Sequence, residues 1–471
     1  MNVVMKFGGT SVCDSEGIRR VVGIIQKNLF EGKKVIVVVS AMVGVTDDII
    51  YVIRRAVAGD RKSIMDFVKD LASKHHKVAK EAISDEEILE AVLNEIDGLI
   101  EEFERVIVSV SYLREVTLRS QDYILSFGEK LSTVIVCAAL QAQNLEAKWI
   151  TGGEAGIITD DRFGEARPLM STTAQQVKER IGLLLEEGII PVITGYIACT
   201  QDGVTTTLGR GGSDYTATIL GSALDVDEVW IWTDVDGLMT ADPKVELSAR
   251  TIPRISYEEA MEMAYFGAKV MHPKALEPVA EKEIPVRIRN TFNPDGLGTL
   301  VMKEPWIKAG NVVKSIAMIR DVVLITVSGA GMVGTPGVAA KVFSILSENR
   351  VNILMISQSS SEANISFIVS RTSLDKAVNT LELTLLGGDI LRDVSSEADV
   401  CVVAVVGAGM KGIPGVAARV FKAVANEGIN IRMIAQGSSE LNISFVVREE
   451  DGDKAVRALH KEFRLDELNM A

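Results

Sequence analysis

Apolar positions alternate between two rhythms over four segments of the first 58 residues. Residues 3–7 and 35–39 are nearly unbroken apolar runs, while residues 17–29 and 47–56 space theirs at steps of three and four. Strands apolar on both faces, joined by amphipathic helices, predict a mainly parallel sheet covered on both sides. Residues 60–126 depart from that rhythm. Ile64, Phe67, Val68, Leu71 and Val78 fall at helical spacing, and Val92, Ile96, Leu99, Phe103, Val106 and Val110 alternate steps of four and three, as along a coiled-coil seam. This predicts a helical hairpin inserted into the α/β domain, either a structural appendage or a wall over a substrate. The alternation resumes with an apolar helix after Glu129 and continues to about residue 300, with strands expected at 148–150, 189–194, 228–233 and 286–288. Residues 301–311, with Pro305 and Gly310, read as the connection to a second unit.

The tail is duplicated. Shifted by 78 residues, 329–369 falls on 407–447 without a gap, and 25 of the 41 positions are identical, which marks two copies of one unit. Each copy has a strand, a loop ending in Pro-Gly-Val (from Pro336 or Pro414) and a helix through Phe343 or Phe421. An Asn-Ile step, a turn with Gln358 or Gln436 and a strand through Asn-Ile-Ser-Phe follow. Two copies are too few for a solenoid, so a pair of small α+β units packed on each other is expected.

Composition excludes several classes. Hydrophobic residues make up 47% and aromatics only 5%, an aliphatic mix that suits α/β cores and is too apolar for disorder. No unbroken apolar run approaches the roughly 18–20 residues that span a bilayer. Met1 leads directly into a strand-like segment, so a cytoplasmic protein without a membrane segment is expected. The net charge of −14, with no compensating basic stripe, argues against a nucleic-acid partner. Cysteines at 13, 137, 199 and 401 have no paired spacing and read as buried free thiols, not as a zinc site or disulfide framework. His75 and His76 read as solvated residues on a charged helix.

Candidate chemistry sits where strands end. In Lys6-Phe7-Gly8-Gly9-Thr10-Ser11, adjacent glycines let the backbone approach a ligand and turn N–H groups toward anionic oxygens, and Lys6 can neutralise phosphate charge. The segment is neither a Walker A loop nor a dinucleotide fingerprint, and alone it could be an ordinary glycine turn. Thr205-Thr206-Thr207-Leu208-Gly209-Arg210-Gly211-Gly212-Ser213-Asp214 packs hydroxyls, glycines, a cation and an acid into one turn before an apolar helix. Backbone donors at such a helix start favour anions, and Arg210 offers the planar fork that suits a carboxylate. A helix cap would explain Ser213 or Asp214 but not the whole run. Thr233-Asp234-Val235-Asp236-Gly237, followed by Thr240, Asp242, Pro243 and Lys244, suits a nucleotide site holding Mg²⁺, or else a polar strand cap. Phe266-Gly267-Ala268-Lys269 sets a second lysine at a glycine turn, and His272 beside Pro273 reads as a packing or capping group.

These segments, with Ser40-Ala41-Met42-Val43-Gly44-Val45-Thr46-Asp47 and Ser126-Phe127-Gly128-Glu129-Lys130-Leu131-Ser132, stand in the order found in aspartate kinases. Over nearly its whole length the chain resembles that family, part of the amino-acid kinase superfamily. The tail repeats resemble ACT domains, βαββαβ modules that bind amino acids. The resemblance implies an α/β catalytic domain over 1–302, a mainly parallel sheet sandwiched by helices, with 60–126 inserted. It implies a linker at 303–318 with a strand available to the second ACT domain, and ACT-like α+β domains at 319–396 and 397–471. The implied reaction is ATP + L-aspartate → ADP + 4-phospho-L-aspartate, the entry to lysine, threonine and methionine biosynthesis, with Mg²⁺ carried on the ATP phosphates.

Carried over residue by residue, the resemblance gives Lys6, with Gly8 and Gly9, the β- and γ-phosphates, and Asp214 the orienting of Lys6. Thr233, Asp234, Asp242, Lys244 and Lys269 fall on the ATP side. Ser40, Thr46, Glu129, Tyr196, Arg210 and Ser213 would hold aspartate, Arg210 taking a carboxylate and Glu129 the α-ammonium; Glu129 could otherwise be a plain helix-start acid. The chemistry agrees with those residue types. A carboxylate with a pKa of about 4 is already a nucleophile at neutral pH, so no strong base is needed. The obstacle is repulsion between two anions, which alignment and positive charge relieve. Two departures affect pocket shape: Tyr196 stands where many relatives have phenylalanine, and Met239 where an aromatic often flanks the nucleotide. The chain ends soon after the second repeat, so a monofunctional kinase is expected.

For the tail, the resemblance implies an amino-acid effector, with candidate contacts at Met332, Thr335, Gly337, Val338, Asn352 and Gln358, and at Asn430 and Gln436 in the second copy. The four amides could otherwise be buried, satisfied structural groups. The stretch 352–361 has no acid for a lysine side chain, and Arg432 replaces Leu354 in the second copy; this favours threonine over lysine. Pairing through ACT sheets implies a homodimer or homotetramer. The competing readings are another acyl-phosphate kinase such as glutamate 5-kinase, uridylate kinase, or a non-catalytic amino-acid sensor on the same fold.

Overall fold

The computed structural model describes residues 1–267, 271–304, 312–360, 363–385 and 392–467. The chain divides into two units: residues 1–238, 253–257 and 269–304, and residues 239–252, 258–268 and 305–471. Segments 239–252 and 258–267 of the expected catalytic stretch thus pack with the second unit.

The first unit opens with β1 (Asn2–Phe7), α1 (Ser15–Phe30), β2 (Lys34–Val39) and α2 (Val45–Val57). Next come α3 (Arg61–Ala82), α4 (Glu86–Leu113) and α5 (Leu118–Gln141). Then follow β3 (Ala147–Ile150), β4 (Ile158–Thr159), α6 (Met170–Glu186), β5 (Ile190–Thr194), β6 (Ile197–Thr200), β7 (Thr205–Thr207), α7 (Gly212–Leu224) and β8 (Glu228–Thr233). After β9 (Arg254–Ser256) the chain enters α8 (Tyr257–Tyr265), and it returns through α9 (Glu277–Glu281), β10 (Val286–Asn290) and β11 (Thr299–Met302).

The main sheet has the order β3-β5-β2-β1-β8-β10-β11-β9. From β3 to β10 all neighbours are parallel, and β11 turns antiparallel to β10. Valine-rich β1 and β2 are buried along almost their whole length, which is why their apolar residues run together instead of alternating. From β1 the chain crosses toward β2, and from β8 toward β10. The crevice at the carboxyl ends of β1 and β8 is therefore the point where open α/β sheets bind ligands. A small sheet, β4-β6-β7, supports the turn into α7.

The inserted hairpin starts cleanly, because Asp60 and Asp85 accept hydrogen bonds from the first turns of α3 and α4. Two expectations change here. His75 is not solvated: it is fully buried, its Nδ1 is 2.7 Å from the Leu71 carbonyl, and burial pushes its pKa down to about 4. Its neighbour in sequence, His76, does reach a carboxylate, at 2.8 Å from Asp97. The second change is that no helix starts near Glu129. Capped by Thr117, α5 runs without a break from Leu118, so Glu129 sits mid-helix and the insertion has no boundary at 126. By length and composition α5 could also cross a membrane, but 89% of its apolar window is buried in the unit. Counting only unbroken apolar runs passes over it. Of the four free cysteines, Cys137 and Cys401 are buried while Cys13 and Cys199 are only partly so.

The second unit holds β12 (Ser315–Ser328), α10 (Val338–Glu348), β13 (Ile353–Gln358), β14 (Asn364–Ser370), α11 (Leu374–Leu385), β15 (Asp393–Val406), α12 (Val416–Asn426), β16 (Met433–Ala435), β17 (Asn442–Arg448) and α13 (Gly452–Glu462). Its strands form one antiparallel sheet, β13-β14-β12-β15-β17-β16. The two long strands each serve both copies. Residues 322–328 of β12 lie between β14 and the first half of β15, while residues 315–319 pair with 402–406 beside β17. The second copy thus takes its fourth strand from ahead of the first copy. Boundaries drawn at 319 and 396 consequently fall inside strands.

Candidate active site

The site is built from four loops of the first unit and the middle of α5. At the end of β1, Lys6 is 9% exposed and its Nζ lies 2.6 Å from Asp214 Oδ1. Asp214 stands in the first turn of α7, which starts after Gly211, a residue in the left-handed region at φ 71°. Gly8 donates its N–H to the Trp232 carbonyl of β8, and Phe7 stacks on Trp232 at 5.9 Å. A Cβ on Gly9 would lie 2.6 Å from the Ala41 carbonyl oxygen, so this contact between the β1 and β2 loops requires glycine.

The β2 loop in turn rests on the middle of α5. Gly128 lets Ala41 approach, since a Cβ there would be 3.0 Å from that of Ala41. Ser132 donates its hydroxyl to the Ser40 carbonyl at 2.7 Å. Glu129 is 4% exposed and accepts a hydrogen bond from the Ala41 N–H, but its Oε2 has no partner. Burial pushes its carboxyl up to about 8. A buried carboxylate costs free energy unless a cation meets it, so the open oxygen is suited to an ammonium. A helix-start acid would face water and the helix dipole; this position does neither.

Tyr196 follows β5 with a φ of 64°. Its N–H donates to the Thr216 hydroxyl, and its carbonyl accepts from Leu208. Gly195 and Gly212 admit the close stacking of this loop on α7: a Cβ on Gly195 would meet Ser213 at 2.5 Å, and one on Gly212 would meet the Tyr196 ring at 2.6 Å. The structure therefore brings together Lys6, Gly8, Gly9, Ser40, Glu129, Tyr196, Ser213 and Asp214. Thr46 lies in the first turn of α2, and Arg210 is exposed in the turn before α7. His272 caps the following short turn with Nδ1 3.3 Å from the Lys274 N–H, and it packs on Gly211.

The other predicted residues are placed differently. Thr233 ends β8 and donates its hydroxyl to the carboxylate of Asp234, the next residue, at 3.1 Å. Asp242 and Lys244 form a turn of the second unit, where Asp242 Oδ1 accepts from the Lys244 N–H at 2.9 Å. Lys269 lies outside the described residues. In the tail, Met332 and Val338 are buried, Thr335 donates to the Gly331 carbonyl, and Gly337 starts α10 at φ 89°. Asn352, Gln358, Asn430 and Gln436 are exposed, which removes the alternative that they are buried structural amides.

One further functional candidate does not stand out in the sequence. Asp122, 1% exposed on α5, accepts from the Gly164 N–H and the Thr207 N–H and hydroxyl. Its only sequence signal is an acid at helical spacing, seven residues before Glu129.

The described residues hold no group of three or more acids, histidines or cysteines arranged for a metal. Asp234 and Asp236, which follow the carboxyl end of β8, are both exposed.

Comparison with known proteins bears on what this arrangement is. Residues 1–290 match the amino acid kinase family, and residues 325–385 and 403–463 each match the ACT domain. Aspartokinase 1, chloroplastic, of Arabidopsis thaliana is 32% identical over 98% of this chain and 80% of its own length. The Arabidopsis bifunctional aspartokinase/homoserine dehydrogenase 1 is 34% identical over 99% of the chain, which spans only 52% of that relative. The crystal structure of E. coli aspartokinase III in complex with aspartate and ADP superposes with a TM-score of 0.83 at 30% identity, covering 98% of this chain and 99% of that one. Its complex with lysine and aspartate gives 0.80. The likeness to aspartokinases thus runs along nearly the whole chain, which carries two ACT matches and belongs to the amino acid kinase family and, within it, to the aspartokinases.

Proposed function

We propose that this chain transfers the γ-phosphoryl group of ATP to the side-chain carboxylate of L-aspartate, under control of an amino acid bound to its ACT domains. The observation that carries the reading is the 2.6 Å Lys6–Asp214 pair in the same loop set as the unpartnered buried oxygen of Glu129. One places fixed positive charge where phosphate oxygens would gather, and the other awaits an ammonium. An aspartate carboxylate oxygen attacks the γ-phosphorus as the bond to the bridging oxygen breaks, which leaves ADP. Lys6 stabilises the charge spread over the transferring group, and Asp214 holds its Nζ in place. The Gly8 and Gly9 loop meets the phosphates. Glu129 takes the α-ammonium, Arg210 and Ser213 a carboxylate, and Ser40, Thr46 and Tyr196 close the aspartate side. The family order assigns Thr233, Asp234, Asp242, Lys244 and Lys269 to the nucleotide. Mg²⁺ arrives on the ATP phosphates, where it would neutralise charge, with Asp234 and Asp236 the residues available to it.

Threonine is the effector we favour. The sequence stretch 352–361 has no acid for a lysine ammonium, and Glu397 already lies 3.4 Å from Arg432. Trapping the acyl phosphate as its hydroxamate tests both parts. Aspartate should give product and glutamate little, and added threonine should inhibit while lysine does not. Turnover of glutamate alone would indicate glutamate 5-kinase chemistry, and no turnover would indicate a sensor. Inhibition by lysine only would overturn the effector assignment.

Glu129 makes a pH prediction. Its carboxyl titrates at about 8 in the free site, whereas a bound ammonium favours the ionised form. Binding aspartate therefore releases a proton below that pH. The KM for aspartate should fall as pH rises from about 6 to about 8, by up to about tenfold per unit, and then level off. A KM that stays flat over that range would remove Glu129 from ammonium binding.

A further inference from the structure

The turn Gly8–Ser11 is pinned at both ends, and the two pins come from different strands. The Gly8 N–H donates to the Trp232 carbonyl of β8 at 3.1 Å, and the Ser11 N–H returns to the Gly8 carbonyl at 2.9 Å, which closes the turn. The Gly9 carbonyl accepts the Val43 N–H of the β2 loop at 3.2 Å. The N–H groups of Gly9 and Thr10 have no hydrogen-bond partner among the described residues, and both residues are partly exposed. They are the donors this turn leaves for a ligand. Its far end rests on a hydroxyl pair. Ser11 Oγ lies 2.7 Å from Thr291 Oγ1, both residues are fully buried, and neither hydroxyl has another partner among the described residues. Thr291 directly follows β10, and its N–H donates to the Thr233 carbonyl at 2.8 Å, at the end of the pairing of β10 with β8. The ends of β8 and β10 thus fix Thr291, and the hydroxyl pair passes that position to the turn.

We infer that Thr291 is a positioning residue for the nucleotide: acting through Ser11, it fixes the turn whose Gly9 and Thr10 N–H groups receive the ATP phosphates. A buried hydroxyl that loses its partner costs free energy until it finds another. Without the Thr291 hydroxyl, the turn shifts to satisfy Ser11. Donors that stabilise charge act only when already aimed, and a misplacement of about 1 Å can cost a hundredfold in rate. The inference rests on the aspartate kinase reading, which sets the phosphates at Gly8 and Gly9, and deepens it.

The test uses the full chain and compares Thr291→Val, Thr291→Ser, Ser11→Ala and the double variant Ser11→Ala/Thr291→Val, by steady-state kinetics and by calorimetric titration with MgATP. Thr291→Val keeps the branched shape and strands the Ser11 hydroxyl. It should lower kcat/KM for ATP and weaken MgATP binding, each by about tenfold, the scale of one buried hydrogen-bonding group left unpaired. The KM for aspartate should stay within about twofold. Thr291→Ser restores a hydroxyl and should recover most of the loss. The double variant should be no worse than Thr291→Val, because two groups that act as one pair are not additive. Should Thr291→Val not fold, Ser11→Ala decides by the same readings. The pair is a structural clamp, and the inference fails, on any of three results: only the thermal midpoint falls, the aspartate KM rises as much as that for ATP, or Thr291→Ser is as impaired as Thr291→Val. A wild-type chain that binds MgATP without phosphorylating aspartate overturns the functional reading alone, and the MgATP affinities still decide the role of Thr291. One that binds no MgATP overturns both.

Discussion

Replacing Lys6 by methionine should lower kcat by about 10²–10³-fold, the usual loss when one preorganised donor to a developing charge is removed. The fold and effector binding should survive. Methionine keeps most of the stem that fills the end of β1, but it takes away the cation that sits 2.6 Å from Asp214. Both side chains are about 10% exposed, so the lost charge is not replaced by bulk solvent. A Lys6→Arg variant separates charge from position. Arginine's longer side chain ends in a planar fork and not in a compact point charge, so it would not set its cation where the Lys6 Nζ lies. Arginine should therefore keep stability and still lose most of the rate. Asp214→Asn should act through Lys6, with a smaller loss in kcat and little change in the KM for aspartate. Measured kcat at saturating ATP, together with the thermal midpoint, decides. Activity within tenfold of wild type in Lys6→Met would remove Lys6 from the chemistry.

Lys6 and Asp214 are legible because each lies in a run of residues too unusual for a plain turn, and the packing of α7 on β1 brings them together. Duplication in the tail was equally plain, since sequence identity needs no structure. The sharing of strands between the copies was not, because nothing local in residues 315–319 says which strand they pair with. His75 could have been found: Ile64, Val68, Leu71, His75 and Val78 are all buried on one face of α3, at the spacing that already identified the helix. Pairing it with His76 as a charged dipeptide hid that face. Glu129 is legible as a site acid but its place mid-helix is not, because the apolar pattern is clear only after it while α5 runs unbroken from Leu118. Gly128 is the small residue that lets α5 pass close to Ala41. Asp122 was passed over because an acid in a helical pattern defaults to the solvated face, and only its three donors show otherwise.

Glu259→Ala should destabilise the second unit by about 3–5 kcal/mol, since it strands a buried cation. Glu259 is fully buried on α8, and its Oε2 is 2.6 Å from the Lys314 Nζ, itself almost fully buried. Its Oε1 accepts the Ala408 N–H at 2.6 Å, at the turn after β15. One carboxylate therefore ties α8 to the lead-in of β12 and to the second ACT copy. The next turns of α8 continue the attachment: Glu262 pairs with Asn442, and the Tyr265 hydroxyl donates to the Leu354 carbonyl at 2.9 Å. Glu258 is exposed and serves as the control, with a change in stability within about 0.5 kcal/mol on replacement by alanine. The sequence Glu258-Glu259 offers no way to tell the two apart; only burial does. Replacing Glu259 and Lys314 together by methionine should recover most of the loss, because two well-packed apolar groups remove the unpaired charge. The Ala408 N–H would still lack an acceptor, which costs about 1–3 kcal/mol. Denaturant midpoints for the transition of the second unit read these differences. A single Glu259→Ala variant no less stable than Glu258→Ala would mean that Lys314 reaches water, and that α8 is held by Glu262 and Tyr265 alone.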